Sequence, residues 1–364
     1  MEIRELTSRT IDVLRFPMAV MVVAIHTYFN ESLNLRGTEI PFTGEWAHQF
    51  IYLISIVLTD AAVPAFFVMS GFLYFFKVAP DSKLPHWREG YLQKTKRKVA
   101  SLLIPYIMWN LLAIAIEPDN WHKSINVLLM GMWGIDGQGP WNGPLWFLRD
   151  LFVMMLLAPV FEIIVKKTKL LLPVLCLIIM SGSFAGDKIV RGLSYVGICY
   201  FSLGAYVGIF HKEILSMLRK NKMVILAFYL LLMIVRFSSI HFSGLSEGMN
   251  TLISKLVIYL YILFSIPAWA IIASYIAERT KKNIDTWKWL ASSSFVVYVM
   301  HRLFNSKVSA FGLLIINKPV INGTEAVILY LLTICITVFV CIGVYWLLKK
   351  NFITNTLFLG ARKR

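Results

Sequence analysis

Ten apolar runs, parted by short basic tracts, leave this chain few ways to fold. They cover residues 11–30, 50–76, 99–117, 144–165, 169–185, 191–210, 222–241, 253–277, 289–311 and 325–348. About 20 consecutive apolar residues make a helix long enough to cross the ~30 Å hydrocarbon core of a bilayer. In that core every backbone amide must be satisfied internally, and a helix does so within one segment. The reading is therefore all-α: a polytopic membrane helix bundle of about ten transmembrane helices, forming a single transmembrane domain over residues 1–364. The 58% hydrophobic content and the mean hydropathy of +0.68 agree with it, because a water-soluble chain of this length does not carry so much apolar side chain. No internal repeat, low-complexity tract or separate soluble domain is visible.

The basic residues give the orientation. Twenty-five Lys and Arg fall on one side of the runs and only six, Arg36, Lys123, Lys188, Arg191, Lys307 and Lys318, on the other. Lys and Arg concentrate in cytoplasmic loops, so both termini are expected in the cytoplasm. The same bias explains the net charge of +16 without a nucleic-acid partner. The N-terminus has mixed charge and no small-residue cleavage site, so the first run is expected to stay in the membrane. Cys176, Cys199, Cys335 and Cys341 lie in apolar runs and read as small buried hydrophobes. No two histidines stand at metal-ligand spacing, so no metal is expected. Gly-x-Ser-x-Gly is absent, and Ser292, Ser293 and Ser294 read as packing residues.

Charges inside the runs narrow the function. An Asp or Arg deep in a bilayer costs at least about 2.5–3.5 kcal/mol, so each needs a reason. The first run, Ile11 to Phe29, carries Asp12, Arg15 and His26. Arg15 and His26 stand eleven residues apart, close to three turns of ~3.6 residues, so both project from one helix face about 16 Å apart. Arg15 reads either as a snorkelling interfacial cation or as a functional one.

At ~1.5 Å per residue, His26 lies about 22 Å from the cytoplasmic surface, His301 about 18 Å, and Arg149, Asp150 and Arg236 about 21 Å. Two imidazoles, a carboxylate and two guanidinium groups thus share an outer level, where a histidine beside a carboxylate suits general-base chemistry. A second level lies near the cytoplasm. It holds Arg15, the pair Ser70-Gly71, whose small side chains allow close approach, and the basic run Lys94, Lys96, Arg97 and Lys98. That run serves either phosphate binding or topology alone.

Other features are weaker. Pro64 is expected to kink the second run. Asp60 either pairs with a cation or lines a cavity, and Glu162 reads as structural. His48, His86, His122, His211 and His241 lie in loops or at run ends. The stretch 118–143 mixes Gly131, Gly134, Gly137 and Gly139 with Trp133 and Trp141, and with Trp146 just beyond it. It is expected to be a flexible loop with aromatic surfaces for a sugar or lipid head group, or an interfacial aromatic belt. Asn322-Gly-Thr is a formal glycosylation sequon.

Five motifs in order resemble the acyltransferase-3 membrane family: Arg15-x10-His26; Val63-Pro-Ala-Phe-Phe-Val-Met-Ser-Gly-Phe-Leu73; the basic run followed by Leu-Leu-Ile-Pro105-Tyr-Ile-Met-Trp109; Gly143-Pro-Leu-Trp-Phe-Leu148; and Ser293-Ser-Phe-Val-Val-Tyr-Val-Met-His301. The resemblance runs from about residue 9 to 350. It implies about ten spans and transfer of an acyl group, often acetyl from acetyl-CoA, to extracytoplasmic acceptors such as surface polysaccharide, lipid-linked sugar or peptidoglycan. It implies that His26 is the catalytic base or acyl-handling residue and that Arg15 helps bind the donor.

The site expected from residues and resemblance together has His26, Asp150 and His301 as catalytic groups. Arg15, Ser70, Lys94, Arg97 and Lys98 hold acyl-CoA (acetyl-CoA), and Arg149, Trp146 and Arg236 face the acceptor. Many members of the family carry a glutamate after the Leu-Trp motif where this chain has Arg149-Asp150, which leaves the role of that carboxylate open. The expected partners are membrane lipids, acyl-CoA and a glycan or lipid-linked sugar, with oligomerisation left open. The expected location is the bacterial cytoplasmic (inner) membrane. The rival reading is a transporter or flippase of a glycolipid or small solute, since broken spans with buried charges also suit transport.

Overall fold

The computed structural model describes residues 3–28, 32–35, 38–82, 91–135, 139–182, 188–238, 245–280 and 283–360. His86, His241, Arg36 and Gly137 lie outside the described residues. The protein is an all-α bundle. Its helices are α1 Ile3–His26, α2 Glu45–Tyr52, α3 Ala62–Phe75, α4 Tyr91–Lys98, α5 Ile104–Ile116, α6 Ile125–Trp133, α7 Trp146–Leu156, α8 Ala158–Thr168 and α9 Leu171–Gly182. They continue with α10 Tyr195–Phe210, α11 Ile214–Lys220, α12 Lys222–Phe237, α13 Glu247–Arg279, α14 Ile284–Met300, α15 Asn305–Ile316, α16 Gly323–Lys350 and α17 Phe352–Leu359. Two antiparallel ribbons complete the fold: Ser32–Leu35 with Thr38–Pro41, and Lys188–Val190 with Leu193–Ser194.

Four continuous helical stretches among the described residues are long and apolar enough to cross a membrane: Glu45–Phe75, Gln93–Ile116, Glu247–Arg279 and Gly323–Lys350. Many large apolar side chains face outward along them, including Leu260 on α13 and Phe339 on α16. Cys335 also faces outward, unlike the three buried cysteines, so it is not the buried residue expected.

Two expected single runs are broken in two, and the second run is continuous but irregular. It changes to π-helical pairing over Leu53–Val57 and turns before α3 begins. Pro64 then sits in the first turn of α3, so the irregularity precedes the proline expected to kink the run. The run 144–165 breaks at Leu157, with Pro159 in the opening turn of α8. The run 289–311 is two helices, α14 and α15, joined by a 3-10 turn at His301–Leu303.

The stretch 118–143 is more ordered than its glycines suggest. Ser124 caps α6 through Val127 N, and Gly134 ends the helix at φ 76°, a left-handed position that glycine adopts without strain. Trp141 folds back over α6, its Nε1 donating to Leu128 O at 2.9 Å, with Lys123 Nζ 4.2 Å from the ring centre. Trp133 meets Tyr106 edge-on. These two rings serve packing. Asn322 is occupied as well: it opens α16 in a capping box with Glu325.

Helix α1 is central and packs against α3, α13, α14 and α16. Helices α3 and α10 pack closest of all, through glycine. A Cβ on Gly71 would lie 2.2 Å from Phe201 O, and one on Gly204 would lie 2.1 Å from Val68 O. The small residue at 71 therefore admits the α10 backbone.

Candidate active site

Helices α1, α3, α7 and α14 each turn one stripe toward a shared cavity of about 370 Å³. The stripes follow from helical spacing. Phe66, Ser70, Leu73 and Tyr74 lie on one face of α3; Phe147, Leu148, Leu151 and Met155 on one face of α7; Ala291, Ser294, Phe295 and Tyr298 on one face of α14. Arg15 contributes from α1, and Lys98 and Leu102 from the segment that enters α5. Arg15 Nη1 lies 3.6 Å from Asp12 Oδ1, so the guanidinium is only loosely paired.

The cavity ends on aromatic rings. Phe147 meets Tyr298 with centroids 5.3 Å apart, and Phe66 lies 5.9 Å from Phe147. The buried Tyr298 hydroxyl donates to Pro144 O, which ties α14 to the Gly143–Leu145 turn. Neither His26 nor His301 lines the cavity. Aromatic packing at this end thus separates the cavity from the two histidines.

Beyond Tyr298 the two histidines meet. The His301 centroid lies 6.4 Å from Tyr298 and 5.1 Å from His26, with the imidazole planes tilted by 30°. His301 is fully buried and His26 is exposed. Because α14 ends at Met300, carbonyls of its last turn have acceptor capacity within reach of the His301 ring. His301 Nδ1 lies 2.8 Å from Tyr298 O and 3.1 Å from Val297 O. A carbonyl only accepts, so Nδ1 carries the proton and Nε2 keeps its lone pair. That Nε2 is buried without a hydrogen-bond partner. His26 is held through its backbone: Asn305 Nδ2 donates to His26 O at 2.7 Å.

The remaining expected site residues scatter. Arg149 and Asp150 bind each other, with Asp150 Oδ1 3.0 Å from Arg149 Nε and 2.9 Å from Nη2. Arg149 Nη1 also donates to Trp133 O at 2.6 Å, and Ser194 N donates to Asp150 Oδ2 at 3.3 Å. This buried pair clamps α7 to the ends of α6 and of the second ribbon, while backbone carbonyls, not Asp150, orient the His301 ring. Arg236 pairs with Asp60 at 3.0 Å and with Tyr52 Oη at 2.8 Å, so Asp60 has a cation partner on α12. The five groups expected at one level thus fall into three separate places: the histidine pair, the Arg149–Asp150 pair, and Arg236 with Asp60.

Of the basic run, Lys98 lines the cavity, Lys94 lies 6.0 Å from the ring centre of the lining residue Tyr74, and Arg97 is exposed and outside the lining. Trp146 opens α7 and packs 6.3 Å from Phe67, centroid to centroid. Glu162 is buried and bonds Lys166 at 2.8 Å, as a structural residue would.

Three residues of this region escaped the sequence reading: Tyr298, Asn305 and Arg302. Asn305 and Tyr298 carry no charge to flag them within an apolar run. Arg302 does, next to His301, and the same test that singled out Arg149 would have found it.

The family described as an acyltransferase domain matches residues 9–346. The chain belongs to the acyltransferase-3 family. The chain is also similar to the succinoglycan biosynthesis protein ExoH of Rhizobium meliloti (strain 1021), with 24% identity over 260 residues, which is 65% of this chain. The matched region spans 63% of the length of that relative. No solved structure matches. The family match thus falls on a chain with four helical stretches, among the described residues, that are long and apolar enough to cross a membrane.

Proposed function

We propose that the protein moves an acyl group, most simply acetyl, from cytoplasmic acyl-CoA to a hydroxyl of an extracytoplasmic glycan or lipid-linked sugar. In this reading about ten spans sit in a bacterial inner membrane with both termini in the cytoplasm. The observation that carries it is the His26–His301 pair, 5.1 Å apart, directly beyond the Tyr298 end of the cavity that Arg15 lines.

The lining suits a CoA arm. Arg15 and Lys98 are cations for phosphate oxygens, Ser70, Tyr74 and Ser294 offer hydroxyls to amides, and the Phe and Leu side chains take methylene groups. Bound acyl-CoA would supply a thioester, an acyl carbon already activated toward a hydroxyl oxygen. His26, the exposed imidazole, takes the acceptor's hydroxyl proton. His301 backs it with a ring whose orientation the end of α14 fixes and whose Nε2 lone pair is free to accept. Tyr298 and Phe147 keep the donor side apart from the outer water until they move aside, which limits loss of the thioester to hydrolysis.

Acetyl transfer by the purified protein from radiolabelled acetyl-CoA tests the reading. General-base catalysis contributes about 10²–10⁴-fold, so His26→Ala should bring transfer to background. Undiminished transfer by that variant rejects the assigned role. Transport without chemistry predicts instead that no CoA thiol is released.

A further inference from the structure

Arg302 follows His301 directly and, like His26, is exposed. Its charge is close enough to act on both His26 and His301. Among the described residues no carboxylate lies within salt-bridge distance of it, whereas Arg149 and Arg236 each have one. Its position is also prepared. The end of its side chain lies across Gly143, where a Cβ would meet Nη1 at 3.0 Å, Cζ at 3.4 Å and Cδ at 3.7 Å. Gly143 opens the turn whose Pro144 carbonyl accepts from Tyr298, so the berth is fixed to the floor of the site. The glycine leaves room for the guanidinium to lie flat.

An uncompensated guanidinium beside two imidazoles is an arrangement that an anion completes. Its planar fork matches a carboxylate or a phosphate with two parallel hydrogen bonds. We propose that Arg302, laid across Gly143, binds a negative charge on the acceptor, so that the molecule presented to His26 is an anionic sugar. The carboxylate of a uronic acid and the phosphate of a lipid-linked sugar are the two sources of that charge. Calling the ligand an acceptor rests on the acyl-transfer reading; the anion site itself does not.

The full chain in phosphatidylcholine nanodiscs allows the test without knowledge of the natural acceptor. Diethyl pyrocarbonate modifies exposed imidazoles, and peptide mass spectrometry gives the rate at His26 separately, with His211 as a remote control. Glucuronate or glucose 1-phosphate should slow modification of His26 at least fivefold, glucose should not, and His211 should be unaffected. Arg302→Gln should abolish the protection, and Gly143→Ala, which keeps the charge but takes its berth, should weaken it. Protection by glucuronate alone assigns a sugar carboxylate, by glucose 1-phosphate alone a sugar phosphate, and by both a general anionic sugar. Equal protection by glucose, protection retained in Arg302→Gln, no protection by either anion, or full protection by phosphatidylglycerol in place of a sugar overturns the proposal. Release of CoA thiol by the same preparation reads acyl transfer independently, so either reading can fail alone.

Discussion

Asn305 holds His26 from a helix 279 residues further along the chain, its Nδ2 donating to the His26 carbonyl at 2.7 Å. The carbonyl belongs to the last turn of α1, where no helical amide remains to satisfy it. Asn305 is itself buried. It therefore fixes where α1 stops and, with it, where the exposed imidazole stands.

Replacing Asn305 with Ala should cost about 0.5–1.5 kcal/mol, the net worth of one hydrogen bond. Transfer should fall further than stability alone explains, since a shift of about 1 Å at a reacting group can cost on the order of 100-fold. Thermal unfolding in detergent and the acetyl-transfer rate of the folded fraction give the two effects separately. An unchanged rate would show that His26 does not depend on this bond.

The Arg149–Asp150 pair should behave as a clamp. Asp150→Asn or Arg149→Met leaves one buried group without its partner, a loss of roughly 3–5 kcal/mol. The double variant Arg149→Met/Asp150→Leu should recover much of it, because replacing both charges removes the desolvation cost along with the attraction. Thermal unfolding of the three variants checks this. If the single variants keep wild-type stability and lose only transfer, the pair belongs to the chemistry.

Within one basic run, two neighbours should differ. Arg15→Gln and Lys98→Gln remove cations that line the cavity. A charge-assisted hydrogen bond is worth about 1.5–3 kcal/mol, so KM for acetyl-CoA should rise roughly ten- to a hundredfold. Arg97→Gln lies outside the lining and should leave KM unchanged. Equal effects at 97 and 98 would mean that general surface charge, not the cavity, attracts the donor.

Gly71→Ala should be among the most damaging small substitutions in the chain. Its Cβ would lie 2.2 Å from the Phe201 carbonyl, and backbone cannot step aside as a side chain can. Overpacking of this kind costs at least ~1–3 kcal/mol. Gly343→Ala, where a Cβ meets nothing within 4 Å, is the control and should unfold like the wild type.

The sequence reveals the apolar runs and the position of each charge along them, and these are the parts of the site that one coordinate determines. Depth brought His26 and His301 to one level, and the motif order marked the same two residues. Azimuth around the bundle is not written in any single run. Arg236 therefore shared a level with the histidines on paper while it faces Asp60 and Tyr52 in the fold. Asp150 misled for a different reason. Adjacent residues on a helix project about 100° apart, so helical spacing gives no cause to pair it with Arg149. The long arginine side chain reaches round and does so. The break at Leu157 was hidden because a proline reads the same in the middle of a run and in the first turn of a new helix, and the one at His301–Leu303 has no proline to mark it.

Because α14 stops at Met300, its last carbonyls take up the Nδ1 proton of His301, and that imidazole works from one nitrogen only. Such a ring can receive a proton on one side but cannot hand it on from the other. It is a dead end for a proton relay past His301, so in the proposed reaction whatever His26 takes from a hydroxyl must leave again on the His26 side or with the thiol.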